Sequence, residues 1–209
     1  MSDLAKRIAA LSPEQRAVFE QRLKQQGLSA PTVQVIGRRP AMEAIPLSFG
    51  QQRLWFLHQL DPASPAYNAP SAVRLSGPLN IDALRRSLNE VVRRHEALRT
   101  TFITVDNQPM QIVAAQLDLP LPILDLRALP TDQRESEALK LSMQEFQRPF
   151  DLRTGPLLRT QLVQLDDHEY QLLFTMHHII TDGWSTELLI AEMTALYAAM
   201  AAGQPPEAA

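Results

Sequence analysis

Residues 176–185 have the sequence MHHIITDGWS and join the last predicted strand, 169–178, to the last predicted helix, 185–200. Side chains at the junction of a strand and a helix often carry function in proteins that mix the two elements. Large apolar residues occur on both faces of the strand, which predicts an internal position in its sheet. The junction is therefore the first place to search for chemistry.

The rest of the chain after residue 45 predicts helices that alternate with strands. A capping box of Ser48 and Gln51 begins one helix, and Asn80 caps the next. Asp106 and Asn107 predict the turn of a β-hairpin. The predicted strands lie at 73–75, 100–105, 110–113 and 157–165, and a further helix lies at 131–146. This alternation predicts an α/β fold, an α+β sandwich in which helices cover a mixed sheet.

The N-terminal segment is predicted to be organised separately. Residues 1–27 predict two short helices, the second of them opened by a capping box of Ser12 and Gln15. Residues 28–44 contain prolines and little periodicity, which is typical of a linker, and the globular body is predicted at 45–209. The narrow apolar stripe of the short helices suits either packing on that body or docking to another protein.

Composition excludes several classes of site and partner. The 209 residues include no cysteine, which excludes disulfides, thiolate catalysis and sulfur-ligated metals. A formal net charge of −3 gives no electrostatic reason to expect nucleic acid or a membrane as partner. The seven glycines are scattered singly, which argues against a glycine-rich phosphate cradle. No signal peptide or membrane-spanning stretch is recognisable, so we expect a cytoplasmic protein.

The two adjacent histidines are the first candidates for chemistry. Neighbouring residues on a strand point to opposite faces, so His177 and His178 diverge. His178 shares its parity with an apolar row, and His177 shares its parity with a more polar one, which includes Glu169 and Gln171. We therefore expect His178 to face a dry interior as the reactive imidazole and His177 to anchor its surroundings.

Two other interpretations of the histidines remain open. A metal site is disfavoured, because the two rings diverge and only Asp182 lies close enough to assist. The simpler alternative is that both rings only satisfy backbone groups at the end of the strand.

Three motifs resemble one enzyme family. Residues 177–183, HHIITDG, resemble the HHxxxDG motif of nonribosomal peptide synthetase condensation domains and of related acyltransferases with the chloramphenicol-acetyltransferase fold. Residues 48–57 resemble the first core motif of condensation domains, which usually has alanine where Gly50 stands, and 94–102 resemble the second. The motifs occur in family order over 45–200, so the chain is identified as the N-terminal lobe of a condensation domain. The surroundings of the motifs resemble most the subtype that joins two L-configured units.

The resemblance implies a reaction and a catalytic residue. An α-amine would attack an aminoacyl or peptidyl thioester, both carried on the phosphopantetheine arms of carrier proteins, with no metal and no directly bound cofactor. His178 would act either as general base or as the group that orients the amine and stabilises the tetrahedral species.

The resemblance also implies supporting residues. His177 would support the site, Gly183 would permit close approach of substrate or helix, and Asp182 would hold the loop through an ion pair. The candidate partners of Asp182 in that pair are Arg94, Arg99 and Arg53.

The implied partners are the upstream donor and downstream acceptor carrier proteins, a second lobe of the same domain and an adjacent adenylation domain. An upstream synthetase subunit is a further candidate, through residues 1–27. We expect the chain to lack the second lobe and to have little or no activity alone. The alternative functions are a docking or carrier-binding module and an acyltransferase of the same fold that uses coenzyme A thioesters.

Overall fold

The computed structural model describes residues 44–204 and, ahead of them, Ser12, Gln15, Val18, Gln21 and Arg22. The chain divides into two units, Met1–Met42 and Glu43–Ala209. In the first unit the backbone N–H of Gln15 donates to Oγ of Ser12 at 3.2 Å, and the N–H of Ser12 donates to Oε1 of Gln15 at 3.1 Å. The predicted capping box is confirmed, whereas the first helix and most of the linker lie outside the described residues.

The second unit contains four α-helices and seven strands between residues 44 and 204. A short 3₁₀ helix, Glu96–Arg99, precedes the third strand. The α-helices are α1 (Phe49–Leu60), α2 (Ile81–Arg94), α3 (Thr131–Gln147) and α4 (Gly183–Ala201). The strands are β1 (Ile45–Pro46), β2 (Asn68–Ser76), β3 (Thr100–Val105), β4 (Gln108–Val113), β5 (Ile123–Asp125), β6 (Leu158–Asp166) and β7 (Glu169–His177). None of the helices in this range combines the length and the apolar character needed to span a membrane.

The strands form two sheets. The larger sheet has the order β2-β7-β6-β5, and the smaller one has the order β1-β4-β3. Only the pairing of β5 with β6 is parallel, so the larger sheet is mixed, as predicted. The last strand, β7, lies between β2 and β6, which confirms its predicted internal position. The strand β2 is longer than predicted, because as an edge strand it tolerates Pro70.

Helices cover both faces of β7. Leu172, Phe174 and Met176 lie in the main core, at most 2% exposed, together with residues of α2 and α4. Leu173, on the opposite face, packs in a second cluster with Ala138 of α3. Burying one large apolar side chain contributes about 1.5–3 kcal/mol to stability, so both clusters hold β7 and its C-terminal end firmly in place.

Local features of the sequence account for the ends of several elements. Ser48 and Gln51 exchange both hydrogen bonds of a capping box at the start of α1. The side chain of Asn80 accepts a hydrogen bond from the N–H of Ala83 and caps α2. Asp106 and Asn107 have φ values of 49° and 60°, the left-handed conformation that a two-residue hairpin turn requires. The predictions of both caps and of the hairpin are confirmed.

Candidate functional site

The histidine motif forms a tight turn between β7 and α4. The strand ends at His177, and the N–H of Ile180 donates to the carbonyl oxygen of His177 at 3.0 Å. The N–H of His178 donates to the carbonyl oxygen of Tyr67 at 2.9 Å, just before β2. The motif is therefore held between the end of β7, the start of β2 and the start of α4.

His177 is buried, contrary to the prediction that it lies on the wetter face. Its residue is only 3% exposed, and its ring lies near those of Phe150, His58 and Tyr67, with centroids 6.1–6.3 Å away. The prediction failed because the rings of His58, on α1, and of Phe150, beyond the end of α3, cover this part of the sheet face, so the polar row is dry at the end of β7.

Burial also determines the protonation state of His177. Its Nδ1 accepts a hydrogen bond of 3.1 Å from the N–H of Ile179, so the proton of the neutral ring is on Nε2. Burial, with smaller effects from the nearby His58 and His178, lowers the pKa of His177 to about 4. A neutral ring that accepts from the backbone two residues later anchors the turn.

His178 is exposed, which corrects the expectation of a dry environment. The parity argument assumed that the strand includes position 178, but the pairing of β2 with β7 ends at His177, and the chain then turns away. Nδ1 of His178 lies 3.4 Å from the carbonyl oxygen of Thr181. A carbonyl can only accept, so this contact favours the tautomer with the proton on Nδ1 and leaves the lone pair of Nε2 free.

A groove of about 420 Å³ runs beside His178. It is lined by Arg53, Leu54, Tyr67, His178, Thr181 and Asp182. The groove thus brings the first motif, on α1, next to the histidine motif.

Asp182 caps α4 and forms no ion pair with an arginine among residues 44–204, so the predicted pair is wrong for this structure. Its Oδ1 accepts a hydrogen bond of 2.7 Å from the N–H of Ser185, and its carbonyl oxygen accepts one from Thr186. Hydrogen bonds from Ser185 and, less strongly, the nearby His178 lower the pKa of Asp182. The free N–H groups at the start of a helix compete effectively for a carboxylate, and here they engage it.

The three candidate arginines have different environments. Arg94 forms ion pairs with Glu90 at 2.7 Å and with Glu192 at 3.0 Å. The guanidinium of Arg99 donates to the carbonyl oxygen of Ala114. Of the three, only Arg53 lines the same groove as Asp182.

The second motif fastens α4 to α2. Oε1 of Glu192, on α4, contacts Arg94, and Oε2 lies 2.5 Å from Nε2 of His95. Burial alone would raise the pKa of Glu192, but the hydrogen bonds from His95 and Arg94 outweigh it and lower the pKa. Glu90 is more strongly affected, since hydrogen bonds from Arg93 and Arg94 lower its pKa to about 2.

Gln51, which the sequence placed in a helix cap and in the first motif, also contacts the histidine turn. Its Nε2 donates to the carbonyl oxygen of Ile179 at 3.3 Å and to Oε1 of Gln111 at 3.1 Å. The capping box predicted the bond with Ser48, but no local pattern predicts a bond to a residue 128 positions away.

Gly183 has open space around it in the described part of the chain. A Cβ built on this glycine would meet no atom within 4 Å. The close approach expected at Gly183 is therefore not made by any residue between 44 and 204. In the same range, no group of three histidines or carboxylates is arranged to hold a metal ion.

The sequence matches one protein family over most of its length. The family model described as a condensation domain matches residues 41–209. The chain belongs to the condensation domain family. The identification made from the three motifs is thus confirmed.

Condensation domains similar to this one occur in peptide synthetases. Phosphinothricin tripeptide synthetase PhsC of Streptomyces viridochromogenes is 47% identical over 211 residues, which cover 99% of this chain and 19% of that protein. Malpibaldin synthetase of Mortierella alpina is 49% identical over 173 residues, which cover 82% of this chain and 3% of that protein. The chain thus spans about a fifth or less of these curated relatives.

Solved condensation domains have the same fold. The starter condensation domain of rhizomide synthetase RzmA matches with a TM-score of 0.73 and 26% identity, over 80% of this chain and 40% of that one. A variant of that domain has been solved in complex with C8-CoA. The first condensation domain of the calcium-dependent antibiotic synthetase matches with a TM-score of 0.71 and 24% identity, over 79% of this chain and 41% of that one. The predicted chloramphenicol-acetyltransferase-like lobe is confirmed.

Proposed function

We propose that the chain forms the N-terminal half of a condensation site in which His178 promotes amide bond formation between two carrier-tethered units. The amine nitrogen bonds to the thioester carbon, the carbon–sulfur bond breaks, and the amine proton passes to the leaving thiolate by way of the imidazole. The observation that carries the proposal is that His178 lines a groove that the first and third motifs form together, and that its Nε2 has no hydrogen-bond partner among residues 44–204.

The role of His178 in this reaction is positioning together with late proton removal. An unperturbed α-amine has a pKa of about 7.7–8.0, so a useful fraction is already nucleophilic at neutral pH. Holding two tethered reactants in a productive geometry can supply up to about 7–11 kcal/mol, as in well-oriented intramolecular reactions. In the tautomer that the carbonyl group of Thr181 favours, the proton is on Nδ1. The lone pair of Nε2 then points away from that carbonyl group and can accept the proton of the amine.

The second lobe of the same domain is the proposed cover of the groove. Phe49 on α1 is 91% exposed, and Trp184 on α4 is 74% exposed. Large exposed apolar side chains often mark an interface. Both belong to helices that border the groove, so a lobe placed over them would exclude water from His178 and restore the dry environment that the chemistry favours.

The finer assignments follow from the family resemblance. We propose the subtype that joins two L-configured units, with donor and acceptor carrier proteins and an adenylation domain as partners, in the cytoplasm. Residues 1–27 remain a candidate docking segment for an upstream synthetase.

The proposal is tested in a complete condensation domain that contains this sequence. His178→Ala should lower amide formation from two carrier-bound thioesters by about 100-fold or more, with the thermal unfolding temperature unchanged. His168→Ala, at an exposed histidine between β6 and β7, is the matched control and should retain activity. Near-normal turnover by His178→Ala would refute the catalytic role.

A second arm of the assay separates the competing acyltransferase function. The rhizomide relative solved with C8-CoA makes this comparison necessary. We expect carrier-bound thioesters to be used and the same acyl groups on coenzyme A to be used poorly. Equal use of both donors would favour the acyltransferase.

A further inference from the structure

A small pocket of about 190 Å³ lies between the 3₁₀ helix and the first turns of α4. Its lining is mostly apolar, and the apolar members are Ala97, Leu98, Ile180, Leu188 and Leu189. By the volume that one water needs, the space holds roughly a dozen waters, enough for a branched aliphatic side chain.

The charged residues at the edge of this pocket are already neutralised. Glu192 lines the pocket, but its carboxylate is paired with Arg94 at 3.0 Å and with His95 at 2.5 Å. A charged ligand group would have to break one of these contacts or be buried without a partner, which is costly. The pocket therefore favours an uncharged, apolar occupant.

The pocket adjoins the groove of His178. Thr181 lines both spaces, and Ile180, two residues after His178, lines the pocket. The hydroxyl of Thr181 lies 3.3 Å from the carbonyl oxygen of Asp182 and 3.4 Å from the hydroxyl of Thr186, which holds this boundary in place. A substrate that reacts beside His178 thus passes within reach of the pocket.

We propose that this pocket receives the aliphatic side chain of one of the two tethered aminoacyl units and so selects among substrates. The inference rests on the proposed function, because the unit must lie beside His178 for its side chain to enter. Ala97 is the residue that controls the space available, since its own side chain is small and exposed.

The test uses the 209-residue chain itself, with methyl-labelled alanine, isoleucine and leucine observed by NMR. The probes are amide analogues of aminoacyl pantetheine, in which nitrogen replaces the thioester sulfur, carrying leucine, alanine or aspartate. We expect the methyl signals of Ala97, Ile180 and Leu188 to shift, with a Kd for the leucyl analogue at least about tenfold lower than for the other two. Two leucyl analogues, one with a free amine and one with an acetylated amine, show whether the pocket receives the side chain of the acceptor unit or of the donor unit.

A variant in which a larger side chain fills the pocket provides the decisive test. Ala97→Leu should abolish the preference for leucine while leaving the Kd of the alanyl analogue unchanged. Ala191→Leu, at an exposed alanine of α4 that does not line the pocket, should change neither.

Three binding results would overturn the inference: equal affinity for the three analogues, a leucine preference that survives Ala97→Leu, or no binding of any analogue. Methyl shifts that depend only on protein concentration would also overturn it, because they would mean that a second copy of the chain fills the pocket. If the pantetheine analogues bind without selectivity for the side chain, only the proposed role of the pocket is refuted. The role of His178 is tested separately by the condensation assay.

Discussion

The side-chain amide of Gln51 donates a hydrogen bond of 3.3 Å to the carbonyl oxygen of Ile179, the residue that follows His178. Oε1 of the same side chain accepts from the N–H of Ser48, so Gln51 both caps α1 and holds the histidine turn. The first and third motifs are therefore connected directly through one side chain, and the position of His178 depends on α1.

Replacing Gln51 with Glu should separate the two roles of this side chain. Glutamate can complete a capping box, but its carboxylate would face the carbonyl oxygen of Ile179 without a donor. We expect a loss of about 1–3 kcal/mol in the free energy of unfolding, measured with urea on this chain, and lower turnover in the complete domain. Gln52→Ala is the control, because it removes one hydrogen bond to Leu47 and no contact with the turn. Equal effects of both variants would contradict the positioning role.

The folded chain should become less stable as the pH is lowered through the range in which His177 is protonated only in the unfolded chain. The pKa of His177 is about 4 in the folded protein against an ordinary value of 6.5, so the unfolded chain binds the additional proton as the pH falls below 6.5. Each unit of pH then costs at most about 1.4 kcal/mol, and the loss between pH 6.5 and pH 5 is about 1–2 kcal/mol, because the unfolded chain is only half protonated at pH 6.5. Urea unfolding at several pH values measures this slope.

Two variants assign that slope to its source. His177→Asn should reduce the dependence of stability on pH, whereas His168→Asn, at an exposed position, should leave this dependence unchanged. The pKa of His58 is also lowered by burial, which Asp151 partly opposes, so His58 contributes in the same direction and some slope should remain. An unaltered slope in His177→Asn would show that His177 is already charged in the folded chain.

Substitutions at Asp182 distinguish a helix cap from an ion pair. Asparagine caps a helix about as well as aspartate, so Asp182→Asn should keep the unfolding temperature within about a degree. Asp182→Ala removes the acceptor of the Ser185 N–H and should lower the unfolding temperature by about 2–4 °C. The opposite result is that Asp182→Asn lowers the unfolding temperature as much as Asp182→Ala does, and that added salt reduces the difference between the Asn variant and the wild type. Asp182 would then pair with an arginine in solution.

Glu192 should contribute to the packing of α4 on α2. Glu192→Ala removes the contacts with Arg94 and His95, and we expect a loss of about 1–3 kcal/mol in the free energy of unfolding. Glu187→Ala, at an exposed glutamate of the same helix, is the matched control and should cost less than about 0.5 kcal/mol. Similar losses in both variants would show that the contacts with Glu192 are not stabilising.

The features that could be predicted are those that depend on residues close together in the chain. The caps at Ser48 and Asn80, the turn at Asp106 and Asn107, and the two-sided apolar pattern of β7 all follow from local rules of spacing and backbone geometry. The family could also be identified, because its three motifs are short contiguous segments.

The environments of the two histidines were decided only by the tertiary structure. Where β7 ends depends on its pairing with β2, about a hundred residues earlier in the chain, and this end places His178 beyond the sheet. The dryness around His177 depends on the rings of His58, Tyr67 and Phe150, which come from three separate segments of the chain. The partner of Asp182 depends on whether the N–H groups of its own helix or a distant guanidinium bind the carboxylate. Such outcomes depend on contacts between segments that are far apart in sequence, which no local pattern of residues encodes.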